Sequence, residues 1–122
     1  MSPDVTPVEP EEKYHPLIES IHARAGDHVR IILRYTPDTV DIYYLDGTLL
    51  DDDLLPRLGE LHEMAMNGTV TTGERNIEEF GRVESIVLVH ERALVLQFIE
   101  SEEDGLIATV DRDEDLSIGE IL

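Results

Sequence analysis

Cysteine is absent from this 122-residue chain, which excludes disulfides, thiolate metal sites and a cysteine nucleophile together and fits a reducing cytoplasm. Tryptophan is absent as well, and there are only two Phe and four Tyr, so the core must be built mostly from aliphatic side chains. Lysine is nearly missing: of nine basic residues eight are Arg, and Lys13 is the single lysine. Positive charge as a whole is scarce, 9 bases against 28 acids for a net charge of -19. Affinity for phosphates comes mainly from clustered cations, so nucleic acid is not an expected partner. No stretch approaches the roughly 18 apolar residues of a membrane span, so no membrane partner is expected either.

What the chain does contain is enough for one domain. Met1 to Lys13 carries three prolines and four acids without an apolar run; it reads as a disordered acidic tail, followed by a single α+β domain over residues 14–122. The acid excess speaks first about solvent. Carboxylates hold water and cations, whereas lysine stems add apolar surface that concentrated salt makes stickier. The chain resembles haloarchaeal cytoplasmic proteins in this respect, and the resemblance implies a halophilic archaeon and a cytoplasmic location.

Apolar residues recur at Leu17, Ile18, Ile21 and Ala25, one face of a helix that opens near Tyr14 and Pro16 and stops at Gly26. Two alternating runs follow, Val29 to Tyr35 and Val40 to Leu45, joined by Thr36-Pro37-Asp38-Thr39. They predict a hairpin in which Tyr35 pairs with Val40, Arg34 with Asp41, and Ile32 with Tyr43. Asp51, Asp52 and Asp53 precede the stripe Leu54, Leu55, Leu58, Leu61 and Ala65 and predict a second helix, closed by Asn67-Gly68. Asn76 and Glu79 form a capping pair for a single turn carrying Ile77 and Phe80. Val83 to His90, Ala93 to Ile99 and Leu106 to Asp111 read as a three-stranded meander, and Leu116 to Leu122 as a short terminal helix. The expected fold is α+β, a five-stranded antiparallel sheet flanked by helices in the order α-β-β-α-β-β-β-α.

This order resembles that of roadblock/LC7 domains of the profilin-like group, small dimerising adaptors, and the resemblance implies a dimerising interaction module. The hairpin residues Arg34, Tyr35 and Asp38, reading Arg-Tyr-x-x-Asp ahead of an acidic helix, resemble those of many small haloarchaeal proteins.

No catalytic constellation is visible. Asp111, Asp113 and Asp115 have the alternation of a calcium loop, but Leu116 and Leu122 stand where that loop requires Gly and Glu. The five histidines include no His-x-x-x-His or His-x-His pair. No serine lies in Gly-x-Ser-x-Gly, and no glycine-rich loop precedes a helix. The expectation is therefore a non-enzymatic interaction or regulatory module with no catalytic residues, metal or cofactor, partnered by another protein or by itself as a homodimer. The candidate partner surface is the hairpin strip His28, Arg30, Ile32, Arg34 and Tyr43, because Arg and Tyr are enriched at interfaces. Met64 and Met66 are the candidate dimer surface. An alternative is a small-molecule or anion sensor using Arg30, Arg34 and Tyr43; a metal-dependent hydrolase is a third.

Overall fold

A computed structural model describes residues 3–74 and 78–112 of the chain. Its elements are β1 (Asp4–Pro7), α1 (His15–Ala25), β2 (Val29–Tyr35), β3 (Thr39–Leu45), α2 (Leu54–Glu74), β4 (Ser85–Val89), β5 (Ala93–Ile99) and β6 (Gly105–Asp111). The strands form one sheet in the order β1-β3-β2-β6-β5-β4. Ile31 and Ile32, neighbours on β2, lie in different core clusters, and successive strand residues point to opposite faces. The first cluster holds Ile21 and Ala25 of α1, the second Leu58 and Ala65 of α2. Among the described residues one α-helix therefore covers each face of the sheet, and central strand β2 is buried on both sides.

The α+β class holds, but the sheet has six strands rather than five. The sixth is β1, inside the segment expected to be a disordered tail. It lies parallel to β3, with Val5 opposite Val40, so the sheet is not wholly antiparallel. Asp4 N–H donates to Asp38 O (2.9 Å) and Val8 N–H to Ile42 O (3.0 Å). Compositional reasoning weighs side-chain burial, whereas an edge strand needs chiefly a free row of backbone partners, and β3 offers one. Val5 adds a modest anchor by packing on the α2-side core. The expected terminal helix Leu116–Leu122, the Asn76–Ile77 turn and Asp113 and Asp115 lie outside the described residues.

The hairpin has the expected register at its turn, Tyr35 opposite Val40 and Arg34 opposite Asp41. A bulge between Ile32 and Leu33 then sets Ile32 against Tyr44, not Tyr43. Bulges insert an unpaired residue and rephase the faces. Accordingly Tyr43 and Tyr44 both pack on the α1-side core. A second shift between Val29 and Ile31 puts Val29 on that side too. Simple alternation in the sequence cannot register either shift.

Asp51 Oδ1 accepts from Asp53 N–H (2.9 Å) in a turn just ahead of α2, so the acids lie at the helix start as expected, although this bond reaches no N–H of the helix itself. Asn67-Gly68, however, does not end the helix, which runs on to Glu74. Gly68 is instead a place of close approach: a Cβ there would lie 2.6 Å from Gln97 Oε1. Glycine lets the helix sit low over a buried polar network. Gln97 Nε2 donates to Tyr35 OH (2.9 Å) and to Ala65 O (2.8 Å), and Thr69 Oγ1 also donates to Ala65 O (2.9 Å). With the Thr69 proton so used, the Tyr35 hydroxyl donates to Thr69 Oγ1 at 3.1 Å. The network joins β2, β5 and α2 and gives buried polar groups the partners they require.

Candidate interaction surface

The hairpin strip is divided by the structure. Ile32 is fully buried, because α1 lies over its face, so it cannot belong to a partner surface. His28, half-buried, ends the short 3₁₀ turn Gly26–His28. Arg30 and Arg34 point to separate carboxylates. Arg30 Nε donates to Asp111 Oδ2 (2.6 Å), its Nη1 donates to Asp27 O (3.0 Å), and Asp46 Oδ2 is 3.4 Å from Nη1. Arg34 Nη2 donates to Asp104 Oδ2 (2.7 Å) and its Nε to Tyr14 OH (3.1 Å). Asp41 faces Arg34 across the hairpin, yet the guanidinium turns to Asp104. An anion at this strip would have to displace carboxylates already in place, so the sensor reading finds no support in the geometry.

Arg34 does gather a compact cluster. Tyr14, buried at the start of α1, donates its hydroxyl to Glu100 Oε1 at 2.5 Å. Its ring lies 5.8 Å from that of Tyr43, and Lys13 Nζ stands 4.9 Å above it. These contacts tie the entrance of α1 to the hairpin and to the β5–β6 connection. Burial first, then the charge of Tyr14, pushes the Tyr43 phenol up to about 12, while Arg34 pulls the other way. Tyr14 is also raised, by burial and by its hydrogen bond to Glu100.

A tyrosine that keeps its proton in the folded state, beyond the ordinary value of 10.0, loses stability for the fold once the unfolded chain begins to ionise. Stability should thus be intact below pH 10 and fall as pH rises towards about 12. Denaturant midpoints measured across that interval should decline less steeply for Tyr43→Phe. An equally steep decline in both proteins would refute the assignment.

Met64 and Met66 are half-buried, each packed against the α2-side core, leaving only their outward halves open. His62 Nε2 donates to Thr36 O (2.7 Å), a core histidine bracing the hairpin turn. Among the described residues no group of three or more His, Asp or Glu is placed to hold a metal ion. No helix among them is long and apolar enough to cross a membrane.

Two surfaces escaped the sequence reading. The first is the edge strand β4, whose outer side has no neighbouring strand among the described residues. Its run Ser-Ile-Val-Leu-Val carries no charge, Leu88 and Val89 are 37% and 49% exposed, and Phe80 ahead of it is 77% exposed. The periodicity marked this run as a strand but could not say that it lies at an edge. The second is an open groove of about 1120 Å³ between β1 and α2, invisible without the unexpected strand β1.

A family described as a domain of unknown function, DUF7522, matches residues 15–122. No curated protein matches the chain. Among solved structures, MglB of Myxococcus xanthus is 11% identical over 93% of this chain and 82% of that one, with a TM-score of 0.53. MglB with a tetrameric arrangement is 15% identical over 99% and 86%, TM-score 0.52. A Roadblock/LC7 domain from Streptomyces avermitilis is 16% identical over 78% of both chains, TM-score 0.49. At such identities the likeness is one of fold, and the fold is roadblock/LC7-like.

Proposed function

We propose that this chain, which belongs to the DUF7522 family, is a non-enzymatic interaction and regulatory module that pairs with a second copy along the free edge of β4. The observation that carries this reading is the uncharged, half-exposed run Ser85–Val89. An edge strand presents unpaired N–H and C=O groups to any complementary strand, and soluble proteins ordinarily blunt such edges with charge, proline or a cover. The opposite edge is treated in that way, by β1 with its Asp4 and Pro7. The β4 edge is not.

The run is also self-complementary. Antiparallel pairing about Val87 would set Ile86 against Leu88, Ser85 against Val89 and Glu84 against His90, and would fuse two six-stranded sheets into one. In a chain of net charge -19, an uncharged edge is where two copies repel least. A roadblock/LC7-like fold supports a regulatory, non-catalytic role, and MglB, similar in fold, has been solved in a tetrameric arrangement.

Light scattering in about 2 M KCl, where screening shortens the reach of charge to a few Å, should give twice the 13.8 kDa chain mass. Leu88→Lys, a change at an exposed position, should return the monomer with unaltered circular dichroism. A strictly monomeric wild-type protein across micromolar concentrations would remove the dimer.

A further inference from the structure

The groove between β1 and α2 has an apolar floor, an acidic rim and a glycine that no neighbour among the described residues requires. Its floor is formed by Val5, Leu55 and Met66, and Leu55 is 66% exposed. Asp4, Glu60 and Glu63, all exposed, stand at its margins, and neither Lys nor Arg lines it. Leu55, Gly59, Glu63 and Met66 follow one another at helical spacing along one side of α2. From Leu55 to Met66 the stripe is about 16 Å long, roughly three turns of helix.

Gly59 is the informative residue. A glycine inside a helix costs about 1 kcal/mol relative to alanine, and helices keep one where a neighbour comes close. Gly68 has such a neighbour in Gln97, whereas a Cβ on Gly59 would meet nothing within 4 Å among the described residues. The space above Gly59 is open groove.

We propose that this groove docks a cationic, amphipathic helical segment of a partner protein. Apolar side chains of that segment would cover Val5, Leu55 and Met66, its backbone would come close over Gly59, and its Lys or Arg residues would meet Asp4, Glu60 and Glu63. A second copy of this acidic chain would bring carboxylates to a carboxylate rim and is the poorer occupant. The groove lies at the opposite sheet edge from β4, so docking and dimerisation are independent.

The test is fluorescence anisotropy in about 1 M KCl, where the Debye length is about 3 Å and only contact-range charge pairs persist. The probe is a labelled Leu/Lys peptide of about three helical turns with Leu at i, i+3, i+4 and i+7. A scrambled peptide of the same composition and a Leu/Glu analogue serve as comparisons. The helically spaced Leu/Lys peptide should bind best. Glu60→Lys with Glu63→Lys should weaken it by about tenfold or more, and Gly59→Leu, which fills open space, should weaken it without lowering the melting temperature. Equal binding of the scrambled or acidic peptide, or no binding at all, overturns the proposal. So does an equal loss on reversing Glu102 and Glu103, exposed acids of the β5–β6 connection, because that would mark diffuse attraction to an acidic surface. The monomeric Leu88→Lys protein should bind the peptide as the wild type does.

Discussion

Gly105→Ala should be the most damaging single substitution in this protein, costing roughly 3–5 kcal/mol, a large share of the stability of a small domain. Gly105 opens β6 and pairs with Ile99 across β5 and with Tyr35 across β2. A Cβ at that position would lie 2.1 Å from Phe98 O and 2.7 Å from Tyr35 OH. The first contact is with backbone in the middle of the sheet, which cannot swing aside, and overpacked interiors respond with strain rather than accommodation. The second drives into the hydroxyl that links Gln97 to Thr69. Gly68→Ala is a graded comparison. Its nearest neighbour is the far end of the Gln97 side chain, which can rotate away at the loss of hydrogen bonds worth about 1–3 kcal/mol when buried groups go unpaired. Chemical denaturation in high salt should rank the proteins wild type, Gly68→Ala, Gly105→Ala. A Gly105→Ala protein within about 1 kcal/mol of wild type would mean that β5 and β6 are not this closely apposed.

The second large effect is expected from salt. Raising KCl from about 0.1 M to about 3 M should lift the melting temperature by roughly 10 °C or more, because the Debye length shrinks from about 10 Å to a few Å or less. Self-repulsion of a body with net charge -19 weakens accordingly. Ion pairs work against the trend only slightly. Arg30 with Asp111 and Arg34 with Asp104 are close, at 2.6 and 2.7 Å, but such partly exposed pairs contribute little, so screening them removes little. A melting temperature independent of salt would refute the proposal that this chain is adapted to concentrated salt.

How far the sequence could be read depended on the range of the interaction. Helix α1 and its stop at Gly26, the limits of β2, the turn register of the hairpin and the acidic start of α2 follow from side-chain period, turn residues and capping, all of which act over a few positions. Asn67-Gly68 misled because glycine serves both as a helix terminator and as a point of close approach. Only the packed neighbour Gln97 distinguishes the two uses. The candidate strip was legible only in part, for the same reason. Ile32, Arg34 and Tyr43 do share the α1 side of the sheet, where Arg34 donates to Tyr14 OH and the Tyr43 ring lies 5.8 Å from that of Tyr14, but α1 covers Ile32 and carboxylates from distant segments hold both arginines.

The sequence by itself determined the acidic character of this protein, its aliphatic core and the order of elements from α1 to β6. Each of these is set by composition or by contacts near in the chain. Tertiary structure alone decided that β1 joins the sheet, that Gly68 and Gly105 are close-approach points, that Arg34 and Arg30 are held by Asp104 and Asp111, and that β4 and the β1–α2 groove are open among the described residues. Those outcomes depend on which distant segments share an edge or a face. That choice is made by the packing of the whole sheet, and no local pattern encodes it.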